Sequence, residues 1–417
     1  MTGLSKSRLL AHRQCPKRLW LQINQPELLE VPDAATQARF NTGYQVGDIA
    51  HSLYPNGVLI ETDNLAQALR ETADIRATAP TLPIFEATFE HDGVLIRADV
   101  LLPTAAGYRL IEVKSSASVK PYHLIDAAIQ LWVLQQNGLT IIESAIAHIN
   151  TRFVYAGNGD YQGLLKETSI TAQLKPLLVE VPNWVAAAQM TLSGSEPMIM
   201  PGSQCNTPFE CPFFTHCNPV EAEQTTKASY PPEDLPRHNG LAAQLREEGY
   251  DDLRQVPKAR LTKDLHQRIH DGVLSGSVFL DPMARSQLID LPYPRFYLDF
   301  ETYAPAVPIW AGTRPYTTQV PFQWSCHRED EQGQLSHHAF LAESVDDPRR
   351  AFIDTLLPVL GDVGAIFVYN ASFERSRLRD MAALFPELKA AIDPILPRIV
   401  DLLPIARAHY YHLLMAN

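Results

Sequence analysis

The sequence predicts an α/β protein in three parts: a mixed sheet flanked by helices over 1–220, a small helical connector over 221–290 and a second α/β domain over 291–417. Three observations predict it. Between residues 5 and 149, stretches with helical spacing alternate with short apolar runs of strand length. A Pro-rich polar stretch then interrupts the pattern, and from Arg295 an apolar strand opens a second alternating block. At 417 residues the chain also exceeds what one hydrophobic core usually organises.

Taken in order, residues 5–24 read as a helix, with Ser5 as its cap and Leu9, Leu10, Leu19 and Trp20 as its apolar positions. Residues 35–54 and 64–77 read as two more. Ile84–Phe89, Val94–Leu102 and Tyr108–Lys114 read as strands, the first two joined by Asp92-Gly93, a dipeptide suited to a tight hairpin turn. A helix over 125–136 and a strand over 141–149 complete the first domain's core. The connector carries Pro231, Pro232, Pro236 and Pro257 around short helical stretches at 240–248 and 262–274. It reads either as a plain linker or as helical hairpins of a DNA-binding kind. In the second domain, strands are predicted at 296–300, 322–326 and 365–369, and helices at 349–360 and 373–384. There is no internal repeat.

Hydrophobic residues make up 46% of the chain and charged ones 20%, the composition of a globular protein with a real core. No run approaches the roughly 18 apolar residues of a membrane helix, and the N-terminus lacks a signal-peptide core. A cytoplasmic location and no membrane partner are therefore expected. The net charge of −12 argues against a broadly basic nucleic-acid surface. A local patch, Lys6, Arg8, Arg13, Lys17 and Arg18, reads either as a grip on phosphates or as a solvated helix face.

The chemistry concentrates on Asp99 and Glu112, which fall on adjacent strands around a turn at Gly107. Carboxylates among Val94, Leu95, Ile96, Val100 and Leu101 are costly to bury unless a cation compensates them. Glu112 and Lys114 share one strand face. Phosphodiester hydrolysis needs a positioned water, a metal that polarises the phosphate and a cation for the growing charge. In that scheme Asp99 and Glu112 hold Mg²⁺ or Mn²⁺, with the Val113 carbonyl as a third ligand. Lys114 orients the water or steadies the developing charge. Gln130, on the next helix, reaches back to the strand pair. Glu86 reads either as a supporting acid or as an exposed strand residue.

These residues resemble the core of the PD-(D/E)XK nuclease superfamily, in its RecB-like branch. Asp99 matches the first acid, Glu112 and Lys114 the (D/E)XK element, and Gln130 the helical motif, with Leu134 where that motif usually has tyrosine. Gly47-x-x-x-His51 resembles the upstream G-x-x-x-H element, so the resemblance implies that His51 is a metal ligand. Five cysteines in a cytoplasmic chain are not a disulfide framework. Cys15 near the N-terminus, with Cys205, Cys211 and Cys217 clustered after the core, resembles the iron–sulfur staple of RecB-like nucleases. This implies a [4Fe–4S] cluster on those four thiolates, with Zn²⁺ as the alternative. Cys326 reads as a core residue.

In the second domain, Asp299 and Glu301 form an acid pair on one strand face, the arrangement of a divalent-metal site. The pair resembles the first motif of DnaQ-like (DEDD) exonucleases, which have an RNase H-like fold. Asn370 through Glu374 resembles their second motif, with Glu374 in place of aspartate. Asp401 reads as the acid of a following strand. No acid stands in the context of a third motif, so the domain is expected to be incomplete at its C-terminus. As a whole the chain resembles bacterial proteins that fuse an iron–sulfur RecB-like nuclease to a DnaQ-like exonuclease domain. The implied function is metal-dependent hydrolysis of DNA in repair, recombination or defence. The competing class is an inactive nucleic-acid-binding or scaffold protein that keeps both folds.

Overall fold

The structure, a computed structural model, describes residues 3–218 and 230–413. The chain forms two compact units, Met1–Val220 with Ala304–Thr318, and Glu221–Tyr303 with Gln319–Asn417. The segment 219–229, where the first domain was expected to pass into the connector, lies outside the described residues.

In the first unit, helices α1 (Lys6–Gln14), α2 (Pro16–Asn24), α3 (Ala34–Leu53) and α4 (Leu65–Thr78) precede the main strands. Side-chain oxygens cap three of them: Ser5 accepts from the backbone N–H of Arg8, Asp33 from that of Thr36 and Asn64 from that of Gln67. The single helix expected over 5–24 is broken at Cys15, whose extended backbone ends α1 and leads into α2 through Pro16. Pro16 lacks the N–H needed to continue one helix and suits the first turn of the next.

The strands are β1 (Leu4–Ser5), β2 (Val58–Leu59), β3 (Ile84–His91), β4 (Val94–Thr104), β5 (Gly107–Lys114), β6 (Ile141–Ile149) and β7 (Leu165–Ser169). They form one mixed sheet in the order β2-β3-β4-β5-β6-β7, with β1 added parallel to β4. Asp92 and Gly93, at φ 49° and 75°, make the expected turn between β3 and β4. Helix α5 (Pro121–Gln136) crosses from β5 to the parallel strand β6, and α6 (Thr171–Leu178), α7 (Val181–Ser193) and the short α8 (Phe214–Cys217) follow. One sheet face packs Ile96, Ala98 and Leu110 against Leu9, Ile129 and Val185 of α1, α5 and α7. The other carries Phe85, Val100 and Ile111, with Tyr54 packed against them. Val46 of α3 packs with Ile149, Ala306 and Val307, so residues 304–318, assigned from sequence to the last domain, belong to this unit.

The second unit contains helices α9 (Leu241–Glu247), α10 (Asp264–Ser275), α11 (Met283–Leu288), α12 (Arg349–Leu360), α13 (Ser372–Leu384), α14 (Lys389–Ile392) and α15 (Leu402–His409). Its strands are β8 (Phe279–Leu280), β9 (Arg295–Tyr303), β10 (Val320–Glu329), β11 (Leu335–Leu341), β12 (Ala365–Val368), β13 (Ile399–Asp401) and β14 (Tyr410–Tyr411). Five of them form a mixed sheet in the order β11-β10-β9-β12-β13, parallel from β9 to β13 and antiparallel across β9, β10 and β11. Phe296, Leu298 and Phe300 face inward, onto Phe352, Leu356 and Leu378, while Tyr297, Asp299 and Glu301 face outward. The stretch expected as a connector has a core of its own. Leu235, Leu245, Leu253, Ile269 and Val273 pack together with Tyr411, and β8 pairs with β14.

Candidate metal centres

The first centre begins with an irregularity in the sheet. β3 and β4 pair Phe85 with Val100 and Ala87 with Ala98, leaving Glu86 and Asp99 opposite each other but outside the ladder. Glu86 has φ 55°, the left-handed region that a side chain normally avoids. The apolar alternation changes phase here, so Ile84 and Ala87 join one core while Phe85 joins the other. On the other side of β4 the ladder to β5 ends at Val100 and Ile111. Continued by one residue, that register sets Asp99 beside Glu112. Asp99 uses the gap: its Oδ2 accepts the Val113 N–H at 2.7 Å.

Glu112 is 1% exposed, and both its oxygens are occupied. Oε1 accepts from Lys114 Nζ at 2.6 Å and from Lys6 Nζ at 2.9 Å, and Oε2 accepts from Gln130 Nε2 at 2.6 Å. Asp126, one helical turn before Gln130 on α5, is also buried; its Oδ2 accepts from Lys114 at 2.7 Å and its Oδ1 from Gln130 at 3.2 Å. The Oε1 of Gln130 is buried without a partner among the described residues. Lys6 arrives by a different route, because β1 pairs with β4 through Leu4 and Val94 and so sets the start of α1 beside the acids.

Four carboxyls, Glu86, Asp99, Glu112 and Asp126, thus lie around the Lys6 and Lys114 ammonium groups, with the Arg97 guanidinium also near Glu86. The imbalance shows in their titration. Burial pushes Glu112 up to about 7, with Asp126 and Asp99 adding to it. Burial likewise raises Asp99 and Glu86. Asp126 goes the other way: burial would raise it, but Lys6 and Lys114 outweigh that and hold it low. The surplus of negative charge in an occluded site is what a divalent cation offsets, and carboxylate oxygens are the donors such a cation prefers. The residues present therefore fit Mg²⁺ or Mn²⁺. Among the described residues no three His, Cys, Asp or Glu side chains are already gathered as a metal-holding set. At this centre Glu112 is engaged by ammonium and amide donors instead.

The expected members fare differently. Glu112, Lys114 and Gln130 come together, with Asp99 opposite. Val113 meets Asp99 through its N–H. His51 stacks on Phe85, ring centroids 4.5 Å apart, and makes no polar contact with the four acids; burial lowers its pKa. The residues of the predicted basic patch have separate partners, and Arg13 stays exposed. Lys6 enters the acid centre, Arg8 donates to the Gly3 carbonyl, Arg13 lies over the Trp184 ring, Lys17 pairs with Glu196 and Arg18 bonds Gln14. Two members escaped the sequence reading. Asp126 was legible one helical turn from Gln130, whereas the two-residue strand that delivers Lys6 left no periodic signal.

The second centre is sulfur-lined. Cys15, Cys205, Cys211 and Cys217 line one pocket, with Leu21 and Phe213 as apolar walls and Lys17 and Arg18 at its side. Backbone bonds fold the cysteine loop: Cys211 N–H donates to the Cys205 carbonyl and Cys217 N–H to that of Phe213. Gln14, next to Cys15, ties α1 to this loop by donating to the carbonyls of Gln204 and Phe209. Burial raises the Cys211 and Cys217 thiols. An all-thiol donor set with cations alongside fits a soft metal, zinc or an iron–sulfur cluster, better than Mg²⁺ or Ca²⁺.

The third centre lies on the second unit's sheet. Asp299 and Glu301 are exposed on the outward face of β9. Glu374, in the first turn of α13, is 2% exposed, its Oε2 has no partner among the described residues, and burial beside Asp299 and Asp401 pushes it up to about 7. Asp401 ends β13, and its Oδ1 accepts from the N–H groups of Asn370 and Leu403. Asp401, the acid of the strand that follows the second motif, joins the carboxylates around Glu374. Asp393 pairs with Lys389 and His409 with Asp281.

Residues 296–416 match a family model described as a domain of unknown function, DUF2779. No curated protein and no solved structure matches the chain. Among the described residues no helix is long and apolar enough to cross a membrane.

Proposed function

We propose that the first unit is a metal-dependent nuclease of the PD-(D/E)XK kind, hydrolysing DNA phosphodiester bonds. The observation that carries this reading is the buried Glu112 carboxylate, opposite Asp99 and held by Lys114 and Gln130. A divalent ion held by Asp99 and Glu112 would supply the charge that polarises a phosphate and activates a water. The chain's own residues do the rest. Lys114 would steady developing negative charge beside Glu112, and Asp126 holds its ammonium at that carboxylate. Gln130 fixes the orientation of the Glu112 carboxylate from inside the core. The four thiols would hold an iron–sulfur cluster, or alternatively zinc, that ties the N-terminal helices to the cysteine loop. In the second unit, Asp299, Glu301 and Glu374 form an exonuclease-like centre on an RNase H-like sheet; Glu374 Oε2, without a partner among the described residues, supports a cation there.

Cleavage of labelled single- and double-stranded DNA with Mg²⁺ or Mn²⁺ tests the reading. Asp99→Ala and Lys114→Ala are each expected to lower cleavage at least ~100-fold, the scale of removing one stabiliser of developing charge. Asp299→Ala should leave that activity in place. Wild-type-like cleavage by Asp99→Ala would sink the assignment.

A further inference from the structure

The donors around Glu112 are not equivalent. Gln130 is wholly buried on α5 and also bonds Asp126. Lys114 stands two residues from Glu112 on the same strand and holds Asp126 at 2.7 Å. Lys6 is the loosest of the three: one bond of 2.9 Å to Glu112 Oε1 and a longer approach of 3.6 Å to Asp126. Its side chain, as exposed as that of Lys114 at 23%, projects from the first residue of α1, whereas Lys114 stands within a strand of the sheet.

We infer that Lys6 is a built-in competitor for the divalent ion, its ammonium standing on the Glu112 oxygen that the ion would take. The inference rests on the metal-site reading above. An ion cannot share that oxygen with two ammonium groups, because like charges a few ångströms apart in an occluded site repel strongly. One donor has to leave, and Lys6 has the weakest hold, its second approach to an acid being 3.6 Å against 2.7 Å for Lys114. Lys6 is therefore a positioning residue. It fixes Glu112 before the ion arrives and sets how tightly the ion is held.

The test is calorimetric titration of the full-length chain with MnCl₂, reading the component of binding that Asp99→Ala removes. Lys6→Met is expected to strengthen that component by about tenfold, since it deletes the competing charge. Lys6→Arg, which keeps the charge, should bind like wild type. Thermal melting gives a second readout that does not depend on activity: added Mn²⁺ should raise the melting temperature more in Lys6→Met than in wild type. If Lys6→Met folds poorly, Lys6→Gln is the same test with a polar side chain retained. Unchanged or weaker Mn²⁺ binding in both neutral variants, with the Asp99-dependent component intact, overturns the role of Lys6 alone. Absence of any Asp99-dependent component overturns the metal site itself.

Discussion

Glu112 concentrates the chemistry of the first unit in one side chain, and its protonation is the most direct handle on it. Burial pushes it up to about 7. Below that pH the carboxyl keeps a proton that a divalent ion must displace. Asp99-dependent Mn²⁺ binding should therefore strengthen as pH rises from about 6 to about 8, by roughly tenfold, and level off above. Stability without an ion runs the opposite way. An acid raised from 4.5 contributes stability that is full below that value and lost as pH rises through about 7. The melting temperature of ion-free protein should fall over this range, and Glu112→Gln should flatten the fall; a melting temperature that rises instead would contradict the burial argument. At this scale the sequence was informative where spacing is local. Asp99, Glu112 and Lys114 follow from two strands and a turn, and Gln130 from the next helix. Lys6 did not, because its approach depends on a contact 106 positions away in sequence.

Among the elements, the break between α1 and α2 matters most. Apolar spacing alone runs through residues 5–24, so a single helix was the natural expectation. Pro16 overrides it, and Cys15 is left in extended backbone with its thiol in the sulfur-lined pocket. Two-residue strands such as β1 and β2, and the exposed edge strand β11, were missed for a related reason: they carry no alternation of apolar and polar residues. The cysteine loop gives the prediction at this scale. Serine at any of Cys15, Cys205, Cys211 or Cys217 should release bound metal and lower the melting temperature of the first unit, since thiolate–metal binding contributes to folding free energy. Elemental analysis and visible absorption read both the loss and the metal's identity. Iron with broad absorption near ~400 nm supports the cluster, and zinc without iron supports the alternative. Cys326, buried on β10 in the other unit, is the control and should change neither.

For the molecule as a whole, two blocks of alternating helices and strands were legible, but the partition was less so. The connector's short helices look polar one at a time, yet their few apolar residues converge into a core that includes Tyr411, far along the chain. Residues 304–318 follow a strand of one unit and pack in the other, which no local pattern announces. The charge balance carries the remaining prediction. A net charge of −12 repels a polyanion, and two of the cations that could grip phosphates, Lys6 and Lys17, are paired with acids. Tight binding of DNA through counterion release needs several lysines or arginines that face phosphates at once. Without divalent ions the chain should therefore bind DNA weakly, with a dissociation constant no tighter than ~10⁻⁶ M near physiological salt. Catalytically inert Ca²⁺ should tighten binding by neutralising the acids around Glu112, and Asp99→Ala should abolish that gain. Fluorescence anisotropy with a short labelled duplex, with and without Ca²⁺, measures both. Tight, steeply salt-dependent binding without any divalent ion would mean that a basic surface elsewhere on the chain recognises DNA, and that the acid centre is not what brings substrate to this protein.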